Sequence, residues 1–149
     1  MYGDTDQLRR RVDQLREQGA DVRVLADQLV ARTEGLGWTG RAAEAMRLRM
    51  HERAAALRAT AGDHETAADS LDKHLADVTA LQEAIAQREH KAASLVADAR
   101  TRVARVEATN DTAAGAVRRV ADADDLVLVA FVPPPPGHRD WLTVELPGL

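Results

Sequence analysis

The sequence Gly35-Leu36-Gly37-Trp38-Thr39-Gly40 separates two long runs with helical periodicity. Glycine adopts left-handed backbone conformations that other residues reach only at a cost, so this stretch favours a tight turn. Gly35 stands where a helix C-terminal cap is expected, and Thr39 stands where an N-terminal cap is expected. We therefore predict a turn at residues 35–40, with Trp38 half-buried over the end of a helix pair.

The first run, residues 4–33, predicts one amphipathic helix. Its apolar and small residues recur in alternating steps of four and three: Leu8, Val12, Leu15, Gly19, Val22, Ala26, Leu29 and Thr33. Such a heptad pattern requires a partner helix along its whole length. Gly19 costs about 1 kcal/mol relative to alanine in a helix interior, but within the heptad pattern it permits close packing of two backbones.

The second run starts at Arg41, keeps a similar periodicity to about Ala108 and contains no proline. Gly62-Asp63 is its weakest point, where we predict a continuous or slightly bent helix. At 1.5 Å per residue the second helix is roughly 100 Å long, against roughly 45 Å for the first. The first helix can therefore cover the second only as far as about Leu71.

Beyond that point the apolar residues of the second helix need another cover, because a long exposed apolar stripe is unusual. The interface candidates are Leu71, Leu75, Val78, Leu81, Ile85, Val96, Val103 and Val106. Either the chain folds back over them or a second chain covers them. We favour a homodimer in isolation, since the stripe could serve both copies symmetrically.

The C-terminal part of the chain changes character. Thr109 to Thr112 predicts a break, followed by a shorter helix that ends near Asp122. Residues 126–132 form a β-branched apolar run, which predicts a buried strand. Pro133 to Pro136 predicts polyproline II structure, and the alternating residues 141–146 predict a half-buried strand.

The predicted fold is therefore all-α: a long antiparallel, coiled-coil-like helical hairpin with a short extended or β tail at the C-terminus. The hairpin region spans residues 1–122, and the proline-rich tail spans residues 123–149.

Composition bounds the possible functions. The 149 residues suit one domain, and a net charge of −4 with 3% aromatic residues does not favour nucleic acid. The absence of cysteine excludes disulfides and cysteine-ligated metals. The N-terminus lacks the apolar core of a Sec signal peptide, and no apolar run approaches membrane-spanning length. We predict no metal, no cofactor, no nucleic acid and no membrane span.

The five histidines do not form a recognisable catalytic pattern. His51-Glu52 lacks the second histidine of a zinc-protease helix. His64 and His74 fall on or near the apolar face and are predicted to be hydrogen-bonded packing residues. His138 lies beside the proline run in a predicted loop. No phosphate-binding loop or nucleophile elbow is present, so we predict that the protein is not an enzyme.

Two long helices joined by Trp38-Thr39-Gly40 resemble the WXG-motif family, the small helical-hairpin proteins of type VII (ESX) secretion systems. Trp38 and Gly40 match the motif, and Ala42, Ala43, Ala45 and Met46 continue the family's spacing of small and apolar residues. The resemblance covers roughly residues 5–105 and is to the longer actinobacterial members. It implies secretion without a Sec signal peptide, after a cytoplasmic stage.

Family substrates usually carry a Tyr-x-x-x-Asp/Glu signal just after the second helix. The single tyrosine of this chain is Tyr2, so that the pattern Tyr2 to Asp6 fits the signal at the opposite end. The resemblance also implies partners: a related WXG-type chain in a homodimer or heterodimer, a larger type VII effector, and the secretion ATPase. The alternative is a cytoplasmic coiled-coil scaffold or oligomerisation protein that is not itself exported.

Overall fold

The computed structural model describes residues 2–112 and 117–149, with side chains from Thr5 onward. Helix α1 spans Tyr2–Gly35, α2 spans Arg41–Thr112 and α3 spans Ala123–Ala130. A 3₁₀ helix spans Arg139–Thr143. The described residues contain no β-strand. The prediction of an all-α fold with two long, paired helices is confirmed.

The chain divides into two compact units, Met1–Thr79 and Ala80–Leu149. Unit 1 is the helical hairpin. Ion pairs across it fix the antiparallel direction, because residue numbers rise along α1 as they fall along α2. Arg16 Nη2 lies 3.0 Å from a carboxylate oxygen of Asp72, and Arg58 Nη2 lies 2.6 Å from one of Asp27.

Small residues at heptad spacing form the interior of the hairpin. The buried row on α1 consists of Thr5, Val12, Gly19, Ala26 and Thr33, and the buried row on α2 includes Ala54, Ala61, Ala68 and Leu75. At Gly19 the two backbones approach so closely that an added Cβ would lie 3.1 Å from the Ala61 carbonyl oxygen. The glycine predicted to permit close packing does so, and α2 continues unbroken through Gly62.

The turn between the helices depends on two glycines with positive φ. Gly37 has a φ of 64° and Gly40 a φ of 98°, a region that disfavours other residues. The Arg47 guanidinium donates a hydrogen bond to the Trp38 carbonyl oxygen. The backbone N–H of Glu44 bonds the Gly40 carbonyl oxygen at 3.1 Å, which starts the α2 hydrogen-bond series.

In unit 2 the C-terminal segment folds back along α2. Ile85 and Ala92 of α2 are buried against Trp141. The partly buried side chains around this core are Phe131, Val144, Leu146 and Leu149. The chain thus supplies its own cover for part of the apolar stripe, which is one of the two arrangements expected from the sequence.

The predicted β tail is wrong. Residues 126–132 fall largely within α3, and the 3₁₀ helix takes the first half of residues 141–146, while the second half has no strand. A helix satisfies its own backbone hydrogen bonds, whereas a strand here would need a partner strand. Asp122 caps α3, since its carboxylate accepts the N–H of Asp124 at 2.9 Å. Asp125 and Leu128, one helical turn apart, are the buried residues of α3.

The short helix expected after Thr112 is also corrected where the structure describes it. Residues 117–122 have no regular secondary structure, and residues 113–116 lie outside the described part of the chain. The Asn110 side chain, and not a helix, fixes the position of the chain at Arg119 relative to the end of α2. Its side-chain amide donates to the Arg119 carbonyl oxygen and accepts from the Arg119 N–H, each at 2.8 Å.

Candidate interaction surfaces

The Trp38 turn is an exposed apolar surface at the end of unit 1. The Trp38 side chain is 57% exposed and Leu36 is 49% exposed. The expectation that Trp38 is half-buried over the helix ends is therefore wrong. Ala43, the first buried residue of α2, lies beyond the turn, so the hairpin interior begins without the indole. Trp38 lies between Gly37 and Gly40, the two positive-φ residues of the turn, and its ring faces solvent.

A second surface of unit 1 is a continuous row of half-buried side chains, which we call the side stripe. On α1 it comprises Leu8, Leu15, Val22 and Leu29, and on α2 it comprises Met50, Leu57, His64, Leu71 and Val78. Each member stands three residues after a position of the buried heptad pattern. In an antiparallel pair these positions lie on the same side of both helices. Leu29 and Leu57 accordingly line one shallow cavity.

His64 is a polar member of the side stripe. Its Nδ1 is buried and has no hydrogen-bond partner among the described residues. The prediction that His64 is a hydrogen-bonded packing residue is therefore not met at this nitrogen, and His74 is exposed. Buried polar atoms usually have a hydrogen-bond partner. Nδ1 of His64 therefore leaves one hydrogen bond of the side stripe unmade.

The interface candidates from the sequence are distributed over both units. In unit 1, Leu75 is buried within the hairpin, while Leu71 and Val78 belong to the side stripe. In unit 2, Ile85 is buried by the returning tail, and Leu81 is 52% exposed. Val96, Val103 and Val106 are half-buried. The candidates therefore do not form one free surface, and sequence reasoning did not identify the side stripe as a separate face.

Polar contacts hold the returning tail in unit 2. Arg88 donates from Nε to the Trp141 carbonyl oxygen at 2.8 Å and from Nη2 to the Val144 carbonyl oxygen. Arg102 binds both carboxylate oxygens of Asp125, with two contacts at 3.0 Å. Asp125 is only 8% exposed. The hydrogen bonds from Arg102 hold the pKa of Asp125 below its ordinary value.

A similar charged contact lies across the hairpin of unit 1. Arg23 Nη1 is 2.5 Å from a carboxylate oxygen of Glu65. The hydrogen bond lowers the pKa of Glu65 and raises that of Arg23. Both side chains are almost half exposed, so this pair contributes to helix register more than to stability.

The misplaced tyrosine pattern lies at the start of α1. Tyr2 is the first residue of α1, and its side chain lies outside the described part of the structure. Asp6 is exposed and pairs with Arg9 at 3.2 Å within the same helix. The pattern therefore lies at the opposite end of α1 from the turn with Trp38.

Among the described residues, no group of three or more His, Asp or Glu side chains is arranged to hold a metal ion. The histidine contacts are pairs: His51 Nε2 lies 3.0 Å from Glu34, and His138 Nδ1 lies 3.1 Å from Asp140. Within the described helices, no segment is long and apolar enough to cross a membrane. Comparison with known proteins found no match to a protein family, a curated protein or a solved structure.

Proposed function

We propose that the chain is a non-enzymatic protein of type VII secretion, either an exported substrate or the secretion partner of a larger effector. It acts by packing its helices against those of another chain. The observation that carries this proposal is the exposed Trp38 at the tip of a two-helix hairpin, followed by Gly40. This is the arrangement that the resemblance to the WXG-motif family implies.

The exposure of Trp38 supports a role in recognition. A tryptophan that packs in a core stabilises a fold by several kcal/mol, roughly 3–5 on truncation. A ring that is 57% exposed contributes far less to folding. Tryptophan is also among the residues most enriched where binding energy concentrates in protein interfaces. We infer that the secretion machinery or a partner chain contacts the Trp38 ring.

The side stripe supports a helical partner for unit 1. Its half-buried leucines and valines would be fully covered if a second hairpin packed on the same side, forming a four-helix bundle. Such packing removes apolar area from water at about 25 cal/mol per Å². A partner side chain could also donate a hydrogen bond to Nδ1 of His64, which has no partner among the described residues. The partner would be a second copy or a related WXG-type chain.

The Tyr-x-x-x-Asp/Glu signal that follows the second helix in this family would have to be replaced by another recognition element. The chain has a single tyrosine, Tyr2, and none after α2. Recognition would therefore use a tyrosine signal on the partner chain, or the chain's own returning tail in unit 2. On this proposal the protein is cytoplasmic before export and leaves the cell without a Sec signal peptide.

The proposal is tested by export of turn variants from the native host, measured by immunoblot of culture medium and cell lysate. Trp38→Arg should abolish appearance in the medium and leave the cellular level intact, because the ring does not support the fold. Leu36→Ala is the matched control, since Leu36 is a similarly exposed apolar residue in the same turn. Equal export of Trp38→Arg and the wild type would contradict the proposal. Retention of every form in the cytoplasm would favour a coiled-coil scaffold.

A further inference from the structure

Unit 2 contains a groove with a volume of about 610 Å³ between α2 and the returning tail. Small apolar residues of α2, from Ala92 to Ala97, form its floor. Phe131 and Trp141 form an aromatic wall, and Pro133–Pro136 form its rim. The volume lies within the roughly 300–1,000 Å³ typical of small-molecule sites.

The aromatic wall is fixed before any ligand binds. Trp141 Nε1 donates to the Pro135 carbonyl oxygen at 3.2 Å, which holds the indole against the proline rim. The ring centroids of Phe131 and Trp141 lie 6.0 Å apart in an edge-to-face arrangement. Arg88 binds the Trp141 carbonyl oxygen from α2. Binding of a ligand would therefore require little loss of side-chain conformational entropy in this wall.

Two charged residues of α2 lie at the ends of the groove. Glu89 is already engaged, because its carboxylate accepts the backbone N–H of Gly137. Arg100 lines the other end, and its guanidinium has no hydrogen bond or ion pair within the described residues. Along the helix axis these residues are about 16 Å apart, from 1.5 Å per residue. The hydrogen bond leaves the Glu89 carboxylate negative, so the apolar floor has a negative end at Glu89 and a positive end at Arg100, and an anionic head group would be attracted to the Arg100 end.

We propose that this groove binds a linear aliphatic monocarboxylate, with its carboxylate at Arg100 and its chain along the floor towards Trp141. A groove of this length fits on the order of ten carbons. A peptide suits the groove less well, because its backbone N–H and C=O groups would lose water against alanine and valine side chains. The site is independent of Trp38 and of export.

The test uses the full chain with Trp38→Phe, which leaves Trp141 as the single tryptophan, and excitation at the red edge of tryptophan absorption avoids Tyr2. Sodium dodecanoate, below its micelle concentration, should change Trp141 emission saturably. Dodecyltrimethylammonium has the same chain length and the opposite charge, and it should bind several-fold more weakly. No saturable change, or equal affinity for the two probes, would overturn the proposal.

Variants locate the site. Arg100→Gln should weaken dodecanoate binding about three- to fivefold, as expected for a solvent-exposed charge pair, and should not weaken binding of the cation. Arg105→Gln, on the same helix outside the groove, is its control. Ala93→Phe should fill the groove and remove binding, whereas Ala76→Phe in unit 1 should not. All four substitute exposed residues, and circular dichroism checks that they fold. Wild-type dodecanoate binding by Ala93→Phe would overturn the assignment of the groove.

Discussion

The close approach of the two helices at Gly19 can be tested with a pair of glycines in the hairpin. Gly19 and Gly62 both lie inside helices of unit 1. An added Cβ at Gly62 would meet nothing within 4 Å, whereas at Gly19 it would lie 3.1 Å from the Ala61 carbonyl oxygen and 3.3 Å from the His64 Cβ. The same substitution to alanine therefore separates helix propensity from packing.

The expected magnitudes follow from these distances. Gly62→Ala should stabilise the fold by about 0.4–1 kcal/mol, because alanine restricts the unfolded chain and favours the helix. Gly19→Ala receives the same benefit but must displace a backbone carbonyl of the facing helix, and overpacking of this kind costs about 1–3 kcal/mol. The net effect at Gly19 should be a loss between about zero and about 2.6 kcal/mol.

Urea unfolding monitored by far-ultraviolet circular dichroism measures both variants against the wild type. The decisive quantity is the difference between the two substitutions, which should be at least about 1 kcal/mol with Gly62→Ala the more stable. Gly19→Leu extends the series and should be more destabilising than Gly19→Ala. If Gly19→Ala stabilised the protein as much as Gly62→Ala, the helices would not approach as closely as the structure has them.

Three further predictions concern the turn, the side stripe and the tail. Trp38→Ala should change the free energy of unfolding by no more than about 0.5 kcal/mol, as at ordinary surface sites. A loss above about 2 kcal/mol in urea unfolding would show that the Trp38 ring is packed against the hairpin. In light scattering, the wild type should be a dimer, and Val22→Glu on the side stripe should convert it to a monomer. Val24→Glu, at an exposed position of the same helix, should leave the dimer intact. A monomeric wild type would refute self-association through the stripe. Because Arg102 lowers the pKa of Asp125, their pair stabilises the tail fully above about pH 4 and loses this effect as pH falls through the lowered pKa. The protection of the α3 amides, measured as the intrinsic exchange rate at each pH divided by the observed rate, should therefore fall at low pH in the wild type and depend less on pH in Asp125→Asn.

The hairpin could be predicted from sequence because its signals are local and repeated. The four-and-three spacing through Gly19 and Ala26 requires a facing helix, and the glycines at 35, 37 and 40 separate the two runs. The continuity of α2 through Gly62 also follows from periodicity, since no proline interrupts it. The turn and the continuity of α2 depend on the conformational preferences of residues that are close together in the sequence.

The tail could not be predicted in the same way. Residues 126–132 have the β-branched composition of a strand, but α3 forms because Asp122 caps it and Asp125 faces Arg102, 23 residues earlier. Arg88 donates hydrogen bonds to the backbone carbonyl oxygens of Trp141 and Val144. Because every residue has a backbone carbonyl, such an acceptor cannot be identified from the sequence. The Asp122 cap is a local contact. The contacts of Arg102 with Asp125 and of Arg88 with the tail carbonyls are long-range, and together with the cap they override the local strand propensity.

The candidate surfaces were only partly visible in the sequence. The Trp38 motif is evident, but the direction of its ring depends on the turn conformation around Gly37 and Gly40. The leucines of the side stripe are recognisable as heptad residues. Their incomplete burial follows from the small residues of the neighbouring row, which bring the helices together and leave the larger side chains on one side.

The most direct test of the proposed role compares export of the unmodified chain from its native host with and without an intact type VII secretion ATPase. Quantitative mass spectrometry of culture medium and cell lysate measures the fraction outside the cell, with a cytoplasmic enzyme as the lysis control. The proposal predicts that the protein is in the medium of the intact strain and confined to the cells of the ATPase-deficient strain. The same distribution in both strains would contradict it.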